Sequence, residues 1–435
     1  MTAALGLAGA LLAGVPARAN GRFPQAQHLV VGPGAASDVV VLRATFSLAA
    51  SDDGGRRFSF LCEDSFGYID GYDPPIAVAG DGTLLVALTD GLVATRDWCA
   101  PRRRADLDGL RVTDLATSPT GSTVYATVVS NESPPSSRVA RSLDDGVTWE
   151  LSQDPIAGVA LDTIDPAPSD PSRVYAAGRD ASGAPVLARS DDGGARWRRL
   201  DLDASAWGQW FLSGVHPTRP DVLWLRAQPA GLGEGGDALL RSDDGGATVT
   251  VLHRARGAMR GFARSGDGER VWVGGPDDGL LRSDGGGAFA QVEARGVECL
   301  RWHAGALWVC RAFVPCGAML SRWDDGDAAP HDVLGFHELE GPPAHCAAGT
   351  VTHDLCAARY PTVRSTIAPR ACGADAGVDA GLDAGAVTPP STPGCDCAVA
   401  PGRGRAAGRA AWAAALCAAL AARRRGAPST RRRRA

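Results

Sequence analysis

The chain contains no lysine; all 44 basic residues among its 435 are arginine. With abundant Ala and Gly, this reads as the composition of a GC-rich genome rather than as a functional feature. Three common catalytic signatures are also missing. There is no phosphate-binding loop, no Gly-x-Ser-x-Gly elbow and no His-Glu-x-x-His, so the reaction classes those motifs mark find no support. No sustained helical period appears between residues 28 and 340, which points away from helical folds. The body also lacks positive charge. Ten Arg (403, 405, 409, 423–425 and 431–434) lie after residue 400 with no acid among them, so residues 1–400 carry 34 Arg against 49 acids, a net of −15. An acidic body argues against nucleic-acid binding, which needs a basic face, and reads as a solubility feature.

What the chain does have is one short phrase in four copies. They begin at Ser51, Ser142, Ser190 and Ser242 and share the register Ser-x-Asp-x-Gly-x-x-(Trp/Phe/Val). The fixed positions are Ser51, Asp53, Gly55 and Phe58; Ser142, Asp144, Gly146 and Trp149; Ser190, Asp192, Gly194 and Trp197; and Ser242, Asp244 and Gly246, with Val249 closing the last. A short apolar run precedes each copy, and the chain can turn apolar again after it. That is a β-hairpin pattern. Asp and Ser side chains bond back to turn amides, and Gly takes the positive φ that the turn needs.

These phrases resemble the Asp-box, or BNR, repeat. In that family the box closes the hairpin between the outer strands of a β-propeller blade, usually remote from the ligand face. The resemblance implies a structural role for the box acids. Degenerate copies at Thr95, Ser283 and Arg322–Trp323 fill the gaps, giving seven starts (51, 95, 142, 190, 242, 283 and 323) separated by 40–52 residues. Propeller blades of roughly 40–50 residues fit this period. One strand-like apolar run accompanies each unit, such as residues 84–88, 124–128 and 271–273. The expected fold is therefore all-β: a propeller of seven four-stranded blades over residues 28–340, followed by a Cys-containing extension at 341–372.

Both ends read as addresses. Residues 3–15 are apolar or Gly, and Ala17-Arg18-Ala19 is an A-x-A cleavage site, so residues 1–19 read as a secretory signal peptide. Residues 373–394 are Asp/Ala/Gly repeats and a Thr/Pro stretch, expected to form a disordered spacer. Residues 395–435 hold a short hydrophobic segment and Arg clusters. The uncharged run at 410–422 is shorter than the ~20 residues that span a bilayer. The order of parts, with Gly394, Cys395 and Cys397 as a Gly-Cys-x-Cys motif, resembles the MYXO-CTERM sorting signal of myxobacterial surface proteins. That resemblance implies a sorting protease, a membrane contact through the C-terminal segment, and a place at the cell surface or outer membrane of a Gram-negative, myxobacterial-type bacterium. Eleven cysteines in an exported chain favour disulfides. Cys62 and Cys99 follow the first phrase and its degenerate successor, so they are placed to staple adjacent blades, although pairing does not follow from spacing.

No catalytic, cofactor or metal residue stands out. A sialidase needs three Arg, a Tyr–Glu pair and an Asp; the usual Arg-Ile-Pro signature is absent, and Tyr125 and Tyr175 fall at equivalent places in two strands, which marks them as core. Trp207, Trp210 and Phe211 suit packing between blades better than a sugar groove. His345-Cys346 and His353-x-x-Cys356 are not a recognised ligand spacing. The expectation is an exported, surface-anchored binding or scaffold module for an unknown glycan or protein, with the ligand on the face away from the boxes, at loops such as 129–137 and 227–237. The alternatives are a polysaccharide-active glycoside hydrolase of the Asp-box type and an assembly factor for a membrane protein.

Overall fold

The computed structural model describes residues 24–368 except 69–70, 232–234, 315 and 326. The segments expected to be a signal peptide and a spacer, and the expected sorting residues Gly394, Cys395 and Cys397, lie outside the described residues. Seven antiparallel sheets follow one another along the chain, each built on four consecutive strands, with Ile156–Ala157 added to the third as a short fifth, and they form a seven-bladed β-propeller. Blade 1 comprises Ala26–Val31, Val40–Ala44, Ser47–Ser51 and Ser59–Leu61, and blade 7 ends with His331–Gly335. The blade count matches the expected seven.

The second strand of each blade is the apolar run seen in the sequence. Leu84–Leu88 in blade 2 and Val124–Val129 in blade 3 are buried throughout, because neighbouring blades cover both faces of the sheet. There is no single central core. The apolar residues form seven clusters, each drawn from two adjacent blades. Tyr125 packs between blades 3 and 4, and Tyr175 and Trp210 between blades 4 and 5. The outermost strands can be short and charged: Arg102–Arg103 and Arg198–Arg199 are exposed pairs. Short charged edges discourage edge-to-edge association.

Among the described residues every blade is contiguous in sequence, and no exchanged strand closes the ring. The chain after blade 7 does so instead. Glu340 pairs in parallel with Ser59 at the outer edge of blade 1, and the Phe60 N–H donates to Gly341 O at 3.0 Å. A helix, Val351–Ile367, then docks on blades 1 and 2. Its Tyr360 ring lies 5.5 Å from Phe60, and Thr352 N–H donates to Cys99 O at 3.1 Å. Two disulfides fasten this clasp: Cys62–Cys356 and Cys99–Cys346. Cys62 and Cys99 therefore do not join each other, because each reaches the returning C-terminal segment. Cys299 and Cys310, register partners in blade 7, form a third bond.

Candidate functional site

The Ser-x-Asp-x-Gly phrases lie on the hairpins between the third and fourth strands. Their polar atoms are consumed there. The Ser142 hydroxyl donates to Asp144 Oδ1 at 2.8 Å and accepts the Gly146 N–H at 2.9 Å, while Asp144 accepts the Thr148 N–H at 2.9 Å. The same geometry recurs at Ser51–Asp53–Gly55, Ser190–Asp192–Gly194 and Ser242–Asp244–Gly246. Gly146 has φ 82°, and a Cβ there would sit 2.9 Å from Leu85 of blade 2, so the turn needs both the conformation and the missing side chain. Phe58 and Trp149 are buried beneath their turns. The Thr148 N–H lowers the Asp144 carboxyl, and the Thr248 hydroxyl and N–H hold Asp244 at about 2. Carboxylates held this low are poor general acids; these are turn acceptors. In the degenerate copy of blade 2, Asp97 accepts from the Thr95 hydroxyl and the Cys99 N–H. Cys99 thus occupies the glycine position, which puts the clasp disulfide on a box hairpin.

The chemistry-bearing residues gather elsewhere, in the channel along the ring axis. A cavity of about 660 Å³ is lined by the C-terminal halves of the innermost strands and the turns that follow them. In a four-stranded antiparallel blade, that turn and the box hairpin emerge at the same end. Hydrogen bonds confirm it: the Gly54 N–H donates to Asp38 O, and the Gly193 N–H to Ser172 O. The cavity therefore lies at the box end of the channel, not the end expected from the sequence, where the 129–137 and 227–237 loops lie.

Its wall is divided by charge. Asp114 of Arg111–Thr117 and Asp165 of Val159–Pro166 line the side formed by blades 3 and 4. Arg264 of Gly261–Arg264 and Arg301 of Cys299–His303 line the side formed by blades 6 and 7. His28, Trp302 and His303 complete the basic side. Each acid also joins two blades: Asp114 Oδ2 accepts the Ile164 N–H at 2.8 Å, and Asp165 Oδ2 accepts the Val215 N–H at 3.0 Å. Gly214 of blade 5 lies between the two sides. Asp165 Oδ2 and Arg264 Nε both fall within 4 Å of the point where its Cβ would be.

Water reaches these groups, but protein surrounds them, and the charged forms suffer accordingly. Burial pushes Asp114 up to about 7, against the N–H bonds of Ile164 and Leu115 and aided by the charge of Asp165. Burial raises Asp165 to about 6, opposed by Arg264 and the Val215 N–H. Burial, then Arg43 and Arg301, pull His28 down to about 3. Burial and then Arg301 lower His303. Both histidines are thus neutral near pH 7.

Sequence reasoning missed all of these residues, because it located the second strand of each unit and not the first. Its other assignments fall as follows. Tyr125 and Tyr175 are buried, as are Trp207 and Trp210 in the cluster between blades 4 and 5. Cys346 and Cys356 are disulfide-bonded, which removes the thiolates a metal would need beside His345 and His353. Among the described residues no helix is long and apolar enough to cross a membrane.

No protein-family model matches the chain, and no curated protein matches it. Solved structures that resemble it include the hydrazine synthase of Kuenenia stuttgartiensis, at 14% identity over 67% of this chain and 94% of that chain, with a TM-score of 0.49. A family GH74 xyloglucanase from Xanthomonas campestris shares 14% identity over 75% of this chain and 66% of that one, TM-score 0.32. A Hadza microbial sialidase shares 16% over 64% and 72%, TM-score 0.38. These likenesses carry no statement about ligand or activity.

Proposed function

We propose that the chain is an exported, cell-surface-anchored propeller that binds a ligand through the box-end cavity of its channel, without turning it over. The carrying observation is the charge-divided cavity wall, Asp114 and Asp165 against Arg264 and Arg301. It gathers opposed charges in one concave wall, and such concave polar sites are where ligands bind. The A-x-A segment and the Gly394-Cys395-x-Cys397 tail support export and anchoring. The disulfides among the described residues suit an oxidising compartment.

A glycoside hydrolase is the second reading, favoured by two channel acids with raised pKa values, which general acids need. Against it, the two stand on adjacent blades, and each has an oxygen committed to a neighbouring blade's N–H. A glycan array and pull-down, run beside a panel of hydrolase substrates, separate the two. Saturable binding without turnover is expected. Turnover abolished by both D114N and D165N overturns the binding reading. For the anchor, a Cys395→Ala variant is expected to lose normal surface sorting; unchanged sorting and tail processing refutes it.

A further inference from the structure

Most arginines of the propeller have carboxylate partners. Arg311 meets Glu293 at 2.6 Å, Arg256 meets Asp278 at 2.8 Å, and Arg270 holds Asp325 with two nitrogens. Arg264 and Arg301 differ. Among the described residues neither guanidinium forms a hydrogen bond or a salt bridge; only the longer-range charge of Asp165 favours them, and Arg301 repels Arg264. Arg264 is half-buried and Arg301 is exposed to the cavity, so both guanidiniums keep donors open to a ligand. Placed in a cavity, they mark where an oxyanion would be welcome, since the guanidinium fork matches two oxygens on one centre.

The charge of the site narrows the choice. Two guanidiniums against the Asp165 carboxylate and a partly ionised Asp114 leave less than one positive charge, which suits a single carboxylate and which a phosphate dianion overshoots. The neighbouring imidazoles, His28 and His303, add hydrogen-bonding nitrogens and no charge. Beside the cationic wall is an aromatic one. Trp302 lines the cavity and stacks on Trp272 at 5.0 Å, backed by Arg270 at 5.1 Å, so its ring is fixed in place.

We propose that the channel cavity takes a carboxylate group, its oxygens bound by Arg264 and Arg301 and the carbon body that bears it resting against Trp302. This deepens the channel-binding reading and rests on it. The carboxylate can belong to a small acid or to a chain end or sugar residue reaching into the cavity; the shared chemistry is the planar, singly charged oxyanion.

Trp302 supplies a reporter that needs no prior ligand. Its share of the fluorescence is the difference between the full protein and the W302F variant. Iodide, an anionic quencher, is expected to quench that share severalfold more strongly than neutral acrylamide, approaching about tenfold in a focusing cationic cleft. Caesium should quench it least. R264Q and R301Q should each bring iodide down to the acrylamide level, while R199Q, on the outer edge of blade 4, should not. Matched melting curves establish that the variants fold, and the quencher comparison on the unmodified protein stands without them. At constant ionic strength, acetate and galacturonate should protect Trp302 and chloride should not; polygalacturonate protecting better than the monomer identifies a chain as the source.

Equal quenching by iodide and acrylamide overturns the proposal, as does protection by phosphate or chloride equal to that by acetate. A ligand that protects the cavity but is indifferent to R264Q and R301Q overturns the carboxylate site and leaves channel binding intact. Turnover lost with D114N and D165N overturns the reading of the channel as a binding site without catalysis.

Discussion

Removing the Cys62–Cys356 disulfide tests how the ring is closed. In the double variant C62A/C356A, the helix Val351–Ile367 keeps its packing and the Cys99–Cys346 bond, but a link spanning 294 residues disappears. With Cys99–Cys346 kept, the bond closes only the path through residues 62–99 and 346–356, and loop-closure entropy for about 50 residues sets an upper bound of about 4 kcal/mol, within the about 2–4 kcal/mol typical of native disulfides. The buried Cys62 N–H, which donates to Cys356 Sγ at 3.0 Å, also loses its acceptor, for about 1–3 kcal/mol more. An unfolding entropy of about 2.1 cal/mol/K per residue, over roughly 340 residues, makes each kcal/mol worth about 1.4 °C. The variant should therefore melt about 4–10 °C below the parent by scanning calorimetry. Limited proteolysis should open the 339–367 segment first. If the parent's bond is confirmed by mass spectrometry, and the variant melts within about 1 °C of it with no new cleavage, the clasp does not hold the ring.

Ser142→Ala orphans the buried Gly146 N–H and should destabilise by about 1–3 kcal/mol in denaturant while leaving ligand binding unchanged; a box variant that altered binding at equal stability would refute the turn assignment. Asp165→Asn keeps an acceptor for the Val215 N–H and removes the charge. Because Asp165 titrates at about 6 when folded, above its ordinary 3.8, its protonated form favours folding at low pH, and that stability is lost as the pH rises through 6. The variant should match the parent below about pH 3.8, pull ahead as the pH rises from about 4 to 6, and hold its full advantage by pH 8, on the order of 1–3 kcal/mol; a difference that does not change with pH refutes the burial argument. Trp210→Ala, at a fully buried position between blades 4 and 5, should cost about 3–5 kcal/mol; a stable variant with impaired sugar binding would instead make it a groove residue.

The box register and the apolar second strands made the blades legible, since both are local: a turn needs Ser, Asp and Gly at fixed offsets, and a doubly covered strand needs an apolar run. The cysteine pairing was not legible, because Cys62 and Cys99 find partners 294 and 247 residues away, a distance that only ring closure makes short. The clasp helix carries Pro361 inside it and few buried residues, so no apolar stripe announced it. The channel residues had a weak signal. Asp114 precedes Val124 by ten residues, and Asp165 precedes Val174 by nine, so two acids recur at matching places ahead of the second strand. The basic side has no such recurrence. Arg264 and Arg301 meet the acids only because the ring brings blades 6 and 7 round to face blades 3 and 4.

Hydrogen exchange with and without a ligand from the binding screen tests the central claim most directly. The account places protection at the box-end turns around residues 32–34, 118–119 and 166–168, and along the innermost strands beside Arg264 and Arg301. Protection confined to the opposite loops at 129–137 and 227–237, with those turns unchanged, would contradict it.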